Sequence, residues 1–130
     1  MENNLKVMIC DDSMLIRKRF IGLLEKCKCH DVLEAENGQV AVDMVKEHNP
    51  DIVFLDIVMP DKDGIEALEE ITQYDSNIKV IMASSAGTKE HLRKALEKGA
   101  YDFIQKPVSL DAVTTIIEKI LKERGETAHV

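Results

Sequence analysis

The sequence lacks the long apolar runs and the leader that mark membrane and secreted proteins. Its longest apolar runs are strand-sized, well below the roughly 18 residues expected of a membrane-spanning helix. Its start, MENNLKVMIC, does not join a basic segment to a long apolar one, as a secretion signal does. We therefore expect a cytoplasmic protein without a membrane partner.

Cysteine is also scarce, which argues against a disulfide-stapled fold. The three cysteines, at positions 10, 27 and 29, are an odd number and make no disulfide framework. The segment Cys27-Lys28-Cys29-His30 resembles half of a structural metal site, but no second cluster supplies the remaining ligands. We expect these cysteines to remain free thiols.

An excess of positive charge, which a nucleic-acid-binding protein needs, is missing. The net charge is −7. Residues 1–86 hold 9 Lys or Arg against 17 Asp or Glu, whereas residues 87–130 hold 8 against 7. The acidic part disfavours direct binding of nucleic acid. The C-terminal third is better suited to meet an acidic protein surface.

Repeats, linkers and low-complexity segments are absent too, so residues 1–130 are expected to form a single domain. Its core would span about residues 5–122, and residues 125–130 would be a short tail. Apolar strand-like segments alternate with helical patterns five times. The expected strands are Leu5–Cys10, Asp31–Glu36, Ile52–Asp56, Lys79–Ala83 and Ala100–Gln105.

This alternation predicts an α/β fold, a doubly wound (βα)5 domain with helices on both faces of a parallel sheet. Strands one, three and four are nearly continuously apolar, as central strands are, whereas strands two and five carry more polar residues, as edges do. The strand order 2-1-3-4-5 satisfies this assignment, and it is also the order of flavodoxin-like folds. Helix one, which Asp12 or Ser13 can cap, places the basic residues Arg17, Lys18 and Arg19 opposite its apolar stripe.

Acidic residues stand where two of the central strands end. Asp11 and Asp12 follow strand one, and Asp56 ends strand three. In the predicted order these ends flank the switch point of the sheet, where ligands bind. Three carboxylates repel one another without a cation, and an all-oxygen ligand set suits Mg²⁺. We therefore predict a magnesium site.

Two further strand ends add groups that suit a phosphoryl group. Ser84 follows strand four and offers a hydroxyl, and Lys106 follows strand five and offers a mobile positive charge. Acids, metal, hydroxyl and lysine together indicate phosphoryl transfer, with in-line attack by the Asp56 carboxylate to give an aspartyl phosphate.

These segments together resemble the receiver domain of bacterial two-component response regulators. The resemblance covers about residues 5–122 and is carried by Asp11-Asp12, FLDIVMPDKDG, VIMASSAG and GAYDFIQKP. It implies that Asp56 accepts a phosphoryl group from a phosphohistidine on a sensor histidine kinase. The chain would then catalyse only its own phosphorylation and dephosphorylation.

The resemblance also implies roles for the neighbouring residues. Asp12, Asp56 and the backbone carbonyl of Val58 would ligate Mg²⁺ directly, and Asp11 would act through a water. Ser84 would move to bind the phosphoryl group, and Phe103 would follow it inward. The peptide bond between Lys106 and Pro107 would be cis and would aim the lysine.

Phosphorylation would change the affinity of one face for a downstream protein partner. That face is built by helix four, strand five and helix five, and its basic residues are Lys89, Arg93, Lys94, Lys98, Lys119 and Lys122. The protein would be a monomer or a phosphorylation-dependent dimer. Both a stand-alone regulator of chemotaxis type and a receiver excised from a longer regulator remain open.

Some positions depart from the family pattern or bear on competing functions. Val58 and Ala86 have no polar group to hold an attacking water, which predicts slow loss of the phosphoryl group, and Phe103 lacks the hydroxyl of the tyrosine often found there. A Mg²⁺-dependent aspartate-nucleophile phosphatase would need an acid where Val58 stands. Flavin binding is disfavoured because Asp11 and Asp12 would repel the flavin phosphate.

Overall fold

Five apolar segments of the sequence form one parallel sheet, which a computed structural model describes for residues 4–59, 62–85 and 89–125. Within these ranges the strands are β1 (Lys6–Cys10), β2 (Asp31–Ala35), β3 (Ile52–Asp56), β4 (Lys79–Ser84) and β5 (Asp102–Gln105). The helices between and after them are α1 (Met14–Lys26), α2 (Gly38–His48), α3 (Gly64–Tyr74), α4 (Lys89–Glu97) and α5 (Leu110–Glu123).

The order of the strands is β2-β1-β3-β4-β5, which confirms the predicted topology. The register places Cys10 beside Leu55, and Asp56 beside Ala83. All five residues of β3 are buried, because helices cover both faces of this central strand. The carboxyl ends of β1, β3 and β4 therefore meet at the same edge of the sheet, as the prediction of the site requires.

Alternate residues of each strand feed two separate cores, because successive side chains point to opposite faces of a sheet. Ile52 and Phe54 lie in the core under α1 and α5, where the Phe54 ring is 5.1 Å from that of Phe20. Val53 and Leu55 lie in the core under α2 and α3. Burying each of these side chains contributes roughly 1.5–3 kcal/mol to folding.

Capping residues begin the helices where the sequence places short polar side chains. Ser13, Asn37, Asp63 and Ser109 each accept a hydrogen bond from the backbone N–H three residues further on. Ser13, rather than Asp12, caps α1. Asp12 is thereby left available for another role at the end of β1.

Asp51 joins three elements at the amino end of the sheet. Its carboxylate accepts a hydrogen bond from the Lys6 N–H at 2.8 Å and lies 3.1 Å from the Arg124 guanidinium at the end of α5. Its backbone carbonyl accepts from the Lys79 N–H at 3.0 Å.

In the described part of the chain, the helices are all too short or too polar to cross a membrane.

Candidate functional site

Three carboxylates converge at the carboxyl ends of β1 and β3. Oxygen atoms of Asp11, Asp12 and Asp56 all lie within 4.8 Å of one another. Asp11 and Asp56 are buried and Asp12 is exposed. Two unit charges about 4 Å apart repel by about 4 kcal/mol at an effective dielectric constant near 20, so this arrangement needs cations. The donor set consists of hard oxygen atoms and fits Mg²⁺.

Lys106 supplies one cation from the end of β5. Its Nζ donates to Asp11 Oδ2 at 2.5 Å and lies 3.2 Å from Asp56 Oδ2. Its backbone N–H donates to the Ser84 carbonyl at 3.0 Å, so β4 and β5 stay paired up to the pocket. The peptide bond that joins Lys106 to Pro107 is cis, as the resemblance implies.

Burial and charge act in opposite directions on the two central groups. Burial raises the pKa of the Asp56 carboxyl above its ordinary value, the charge of Lys106 opposes this rise, and the charge of Asp11 adds to it. Burial by itself lowers the pKa of Lys106, but the hydrogen bond to Asp11 and the charges of both acids outweigh it and leave that pKa raised. The lysine is therefore firmly protonated, whereas Asp56 is ionised less readily than an isolated aspartate.

Ser84 and Phe103 are placed on the neighbouring strands. Ser84 is buried at the end of β4, one residue beyond Ala83, which is the register partner of Asp56. Phe103 is half-buried in β5, pairs with Met82, and packs against the core under α2 and α3. The movement implied for these two side chains stays a prediction.

Two further positions of the predicted site are Val58, in the segment after β3, and Ala86, which follows β4 in the sequence. The side chain of Val58 is exposed, and a backbone hydrogen bond from Val58 favours the charged form of Asp56. Ala86, the second apolar position named in the sequence, lies outside the described residues.

Two glycines allow the loops of the site to approach each other closely, which the sequence pattern did not reveal. A Cβ on Gly64 would lie 2.1 Å from the backbone carbonyl of Asp56, and one on Gly38 would lie 2.3 Å from the carbonyl of Lys62. Both positions must therefore lack a side chain. The sequence marks these residues as a turn and a helix start, but it does not show which atoms they meet.

Arg17 was also missed as a site residue, because helical spacing placed it only on the side of α1 opposite the apolar stripe. Its guanidinium instead turns back over the end of β1, where Nη1 donates to the Asp11 carbonyl at 2.7 Å and Nε donates to Glu34 at 3.0 Å. Only 14% of the side chain is exposed. Helical spacing alone did not predict these two contacts.

Fold and pocket together define a class of flavodoxin-like α/β domains in which three carboxylates meet at one edge of the sheet and a lysine contacts two of them. A family model described as the response regulator receiver domain matches residues 7–118. The chain belongs to this family, whose members are switches of two-component signalling rather than enzymes that act on a separate substrate.

The similarity to particular relatives extends over nearly the whole chain. It is 43% identical over 116 residues to the chemotaxis protein CheY of Bacillus subtilis, covering 89% of this chain and 97% of that protein. It is 44% identical over 118 residues to CheY of Listeria monocytogenes serovar 1/2a, covering 91% of this chain and 99% of that protein. The fold matches a chain of the CheX–CheY–BeF3–Mg²⁺ complex from Borrelia burgdorferi with a TM-score of 0.85 and 35% identity, covering 90% of this chain and 89% of that one. The chain is thus CheY-like.

Proposed function

We propose that Asp56 receives a phosphoryl group from a sensor histidine kinase and that the charge it gains changes the binding of a downstream protein. The observation that carries this proposal is the contact of Lys106 Nζ with both Asp11 and Asp56, beside the exposed carboxylate of Asp12. A buried acid with a protonated amine 3.2 Å away can accept further negative charge, because the amine already neutralises part of it.

The reaction is an in-line transfer. A carboxylate oxygen of Asp56 attacks the phosphorus, the new O–P bond forms as the N–P bond of the phosphohistidine breaks, and the freed imidazole is protonated by solvent. Lys106 stabilises the charge that develops on the phosphoryl oxygens. Ser84, at the neighbouring strand end, donates a hydrogen bond from its hydroxyl to the phosphoryl group once that group is attached to Asp56.

Asp12, Asp56 and the backbone carbonyl of Val58 would hold Mg²⁺ directly, and Asp11 would hold it through a water. When bound, Mg²⁺ supplies positive charge for the phosphoryl oxygens and relieves the repulsion among the three acids. Asp12 suits this role because it is the exposed acid of the three, while Asp11 is already hydrogen-bonded to Lys106.

The donor would reach Asp56 across an apolar surface beside the pocket. The side chains that flank the acids on the α1 and β3 sides are unusually exposed for their type, with Met14 62%, Leu15 81% and Val58 70% accessible. An adjoining groove of about 260 Å³ between α1 and the segment after β5 includes Phe20, Lys106 and Pro107 in its lining. A kinase domain seated there would exclude water from the transferring phosphoryl group.

The output face consists of α4, β5 and α5. The helix α4 suits a switch because Ala95 is its one buried residue among positions 89–97, so little apolar contact fixes its place. Phosphorylation at Asp56 would shift a pre-existing equilibrium of Ser84 and Phe103 and thereby alter this face. We propose that one cytoplasmic domain carries the acceptor and the output face together, either as a monomer or as a dimer formed on phosphorylation.

Acceptor chemistry is tested by incubating the protein with Mg²⁺ and acetyl phosphate, followed by intact mass spectrometry. One added phosphoryl group is expected in the wild type and none in Asp56→Asn. Asp43→Asn, which removes an exposed acid of α2 away from the pocket, is the matched control and should react normally. Equal phosphorylation of Asp56→Asn, or dependence on Asp43, would show that the acceptor is misassigned.

The lifetime of the aspartyl phosphate is set in part by Val58. The exposed apolar side chain cannot orient a water toward the phosphorus. We expect Val58→Asn to speed dephosphorylation and Val58→Leu to leave it unchanged, as measured by phosphate release after the donor is removed. An unchanged rate in Val58→Asn would remove the reason for expecting a long-lived phosphoryl group.

A further inference from the structure

Asp11 is anchored at each of its polar positions by residues from other elements. Its backbone N–H donates to the Ala35 carbonyl at 3.1 Å, and its carboxylate accepts from the Ser13 N–H at 2.9 Å and from Lys106. Its backbone carbonyl accepts from Arg17 Nη1 at 2.7 Å. The last of these contacts has no part in the reaction described above.

The orientation of the Arg17 guanidinium is itself imposed by the edge strand. Its Nε donates to Glu34 Oε1 at 3.0 Å, while Lys18 Nζ donates to the other oxygen, Oε2, at 3.0 Å. Glu34 is held in β2 by pairing with Ile9 of β1. The planar guanidinium can therefore present Nη1 to the Asp11 carbonyl in one direction only.

The carbonyl that Arg17 holds belongs to the peptide unit between Asp11 and Asp12. A peptide unit is planar, so fixing its oxygen fixes the plane that carries the backbone nitrogen and Cα of Asp12. This matters for Asp12 in particular, because its exposed side chain is not held by packing. Asp12, which is proposed to bind Mg²⁺ directly, is therefore the acid whose position depends most on contacts made by its backbone.

We propose that Arg17, oriented by Glu34, is a positioning residue for the metal site: it holds the Asp11–Asp12 peptide so that the Asp12 carboxylate meets Asp56 at ion-binding distance. This inference rests on the proposed function, because it requires that the three acids bind Mg²⁺. Groups that orient metal ligands from outside the coordination shell typically change metal affinity by 10–100-fold when they are removed.

Positioning and simple electrostatics predict opposite signs for the loss of this residue. If Arg17 acted only through its positive charge, removing that charge would tighten the binding of a divalent cation. If it acts through the Asp11 carbonyl, its loss weakens binding. Arg17→Lys keeps the charge but cannot reach Glu34 and the Asp11 carbonyl together with a planar fork, so it isolates the geometric effect.

The test is an NMR titration of the full chain with Mg²⁺, following the backbone amides of Asp12 and Val58, with urea unfolding of each variant in parallel. Arg17→Lys is expected to bind Mg²⁺ about tenfold more weakly than the wild type. Arg17→Met should also bind more weakly. Lys18→Met is the matched control, since it removes the other partner of Glu34 without touching Asp11, and its affinity should stay within about twofold of the wild type.

Equal or tighter binding by Arg17→Lys, tighter binding by Arg17→Met, or equal weakening by Lys18→Met would overturn the inference. If the amide spectrum shows that the Arg17 variants do not fold, Glu34→Gln replaces them, and it should weaken binding in the same direction by a smaller factor; no change there would overturn the inference. A wild type that shows no saturable shift with Mg²⁺ would overturn the proposed metal site itself and this inference with it.

Discussion

Replacing Gly64 by alanine should destabilise the protein, although alanine is the better helix former. Gly64 is the first residue of α3, where alanine would by propensity add up to about 1 kcal/mol to stability. The new Cβ, however, would stand 2.1 Å from the Asp56 carbonyl oxygen and 2.7 Å from the Ile57 Cα. Both neighbours are backbone atoms of a buried segment, so they cannot rotate away.

The size of the effect follows from comparing these two contributions. Forcing extra volume into a packed site costs typically 1–3 kcal/mol, and a contact this short belongs at the upper end of that range. Subtracting the helix-propensity gain leaves a net loss of about 2 kcal/mol in the free energy of unfolding. The Asp56 backbone must shift to relieve the contact, so phosphorylation by acetyl phosphate should slow as well.

Gly22 provides the control within the same chain. It lies in the exposed middle of α1, and a Cβ there would meet nothing within 4 Å. Gly22→Ala should therefore stabilise the protein by roughly 0.5–1 kcal/mol without changing phosphorylation. Urea unfolding of both variants measures the two signs. If Gly64→Ala were as stabilising as Gly22→Ala, the close approach of α3 to the acceptor strand would be wrong.

Three further predictions concern charged groups. Asp12→Asn should raise the free energy of unfolding by about 1 kcal/mol in the absence of divalent cations, because it reduces the repulsion among the three carboxylates. In this variant Mg²⁺ should no longer raise the melting temperature. A melting temperature equal to that of the wild type without Mg²⁺ would contradict this prediction. The hydrogen bond from Lys18 is the main cause that lowers the pKa of the Glu34 carboxyl below its ordinary value of 4.5. Ionised Glu34 therefore stabilises the folded chain fully above pH 4.5, and this stabilisation is lost as the pH falls through the lowered pKa. Wild type and Glu34→Gln should thus differ in stability by up to about 1 kcal/mol near neutral pH and converge in acid unfolding; parallel curves would refute the pairing. Asp51→Ala should lower the free energy of unfolding by about 2–3 kcal/mol, because it leaves the Lys6 N–H without its acceptor. Arg124→Ala removes only the ion pair and should lower it by less than about 1 kcal/mol. Equal losses of the two variants in thermal unfolding would argue against the backbone contact.

The strand order was predictable because burial constrains composition. A strand covered on both faces cannot carry many polar side chains, so the unbroken apolar run of β3 assigned it to the centre, and the polar residues of β2 assigned it to an edge. Acids that end apolar strands must then lie at one edge of the sheet. The convergence of Asp11, Asp12 and Asp56 therefore followed from topology before any distance was known.

The supporting contacts were not predictable in the same way. Helical periodicity places Arg17 beside other cationic residues, and nothing in that pattern shows that a long side chain reaches back six positions to a carbonyl. The close approach of Gly38 to Lys62 was not predictable either, because the capping residue Asn37 is enough to explain why α2 begins there. Such contacts join segments distant in sequence, and they depend on loop conformations that residue spacing does not determine.

The pocket links folding to signalling through the same charges. Folding brings three acids to within 4.8 Å of one another, and within the described residues Lys106 is the cation that contacts two of them. A ligand that neutralises the remaining charge binds the folded chain and not the unfolded one, so it stabilises the fold in proportion to the logarithm of its concentration. The phosphoryl group proposed for Asp56 would add negative charge to this cluster and would compete with Asp11 for the same ammonium group. The side-chain contacts of Lys106 would then be shared among more acceptors, on a residue whose backbone N–H also donates to the Ser84 carbonyl of β4.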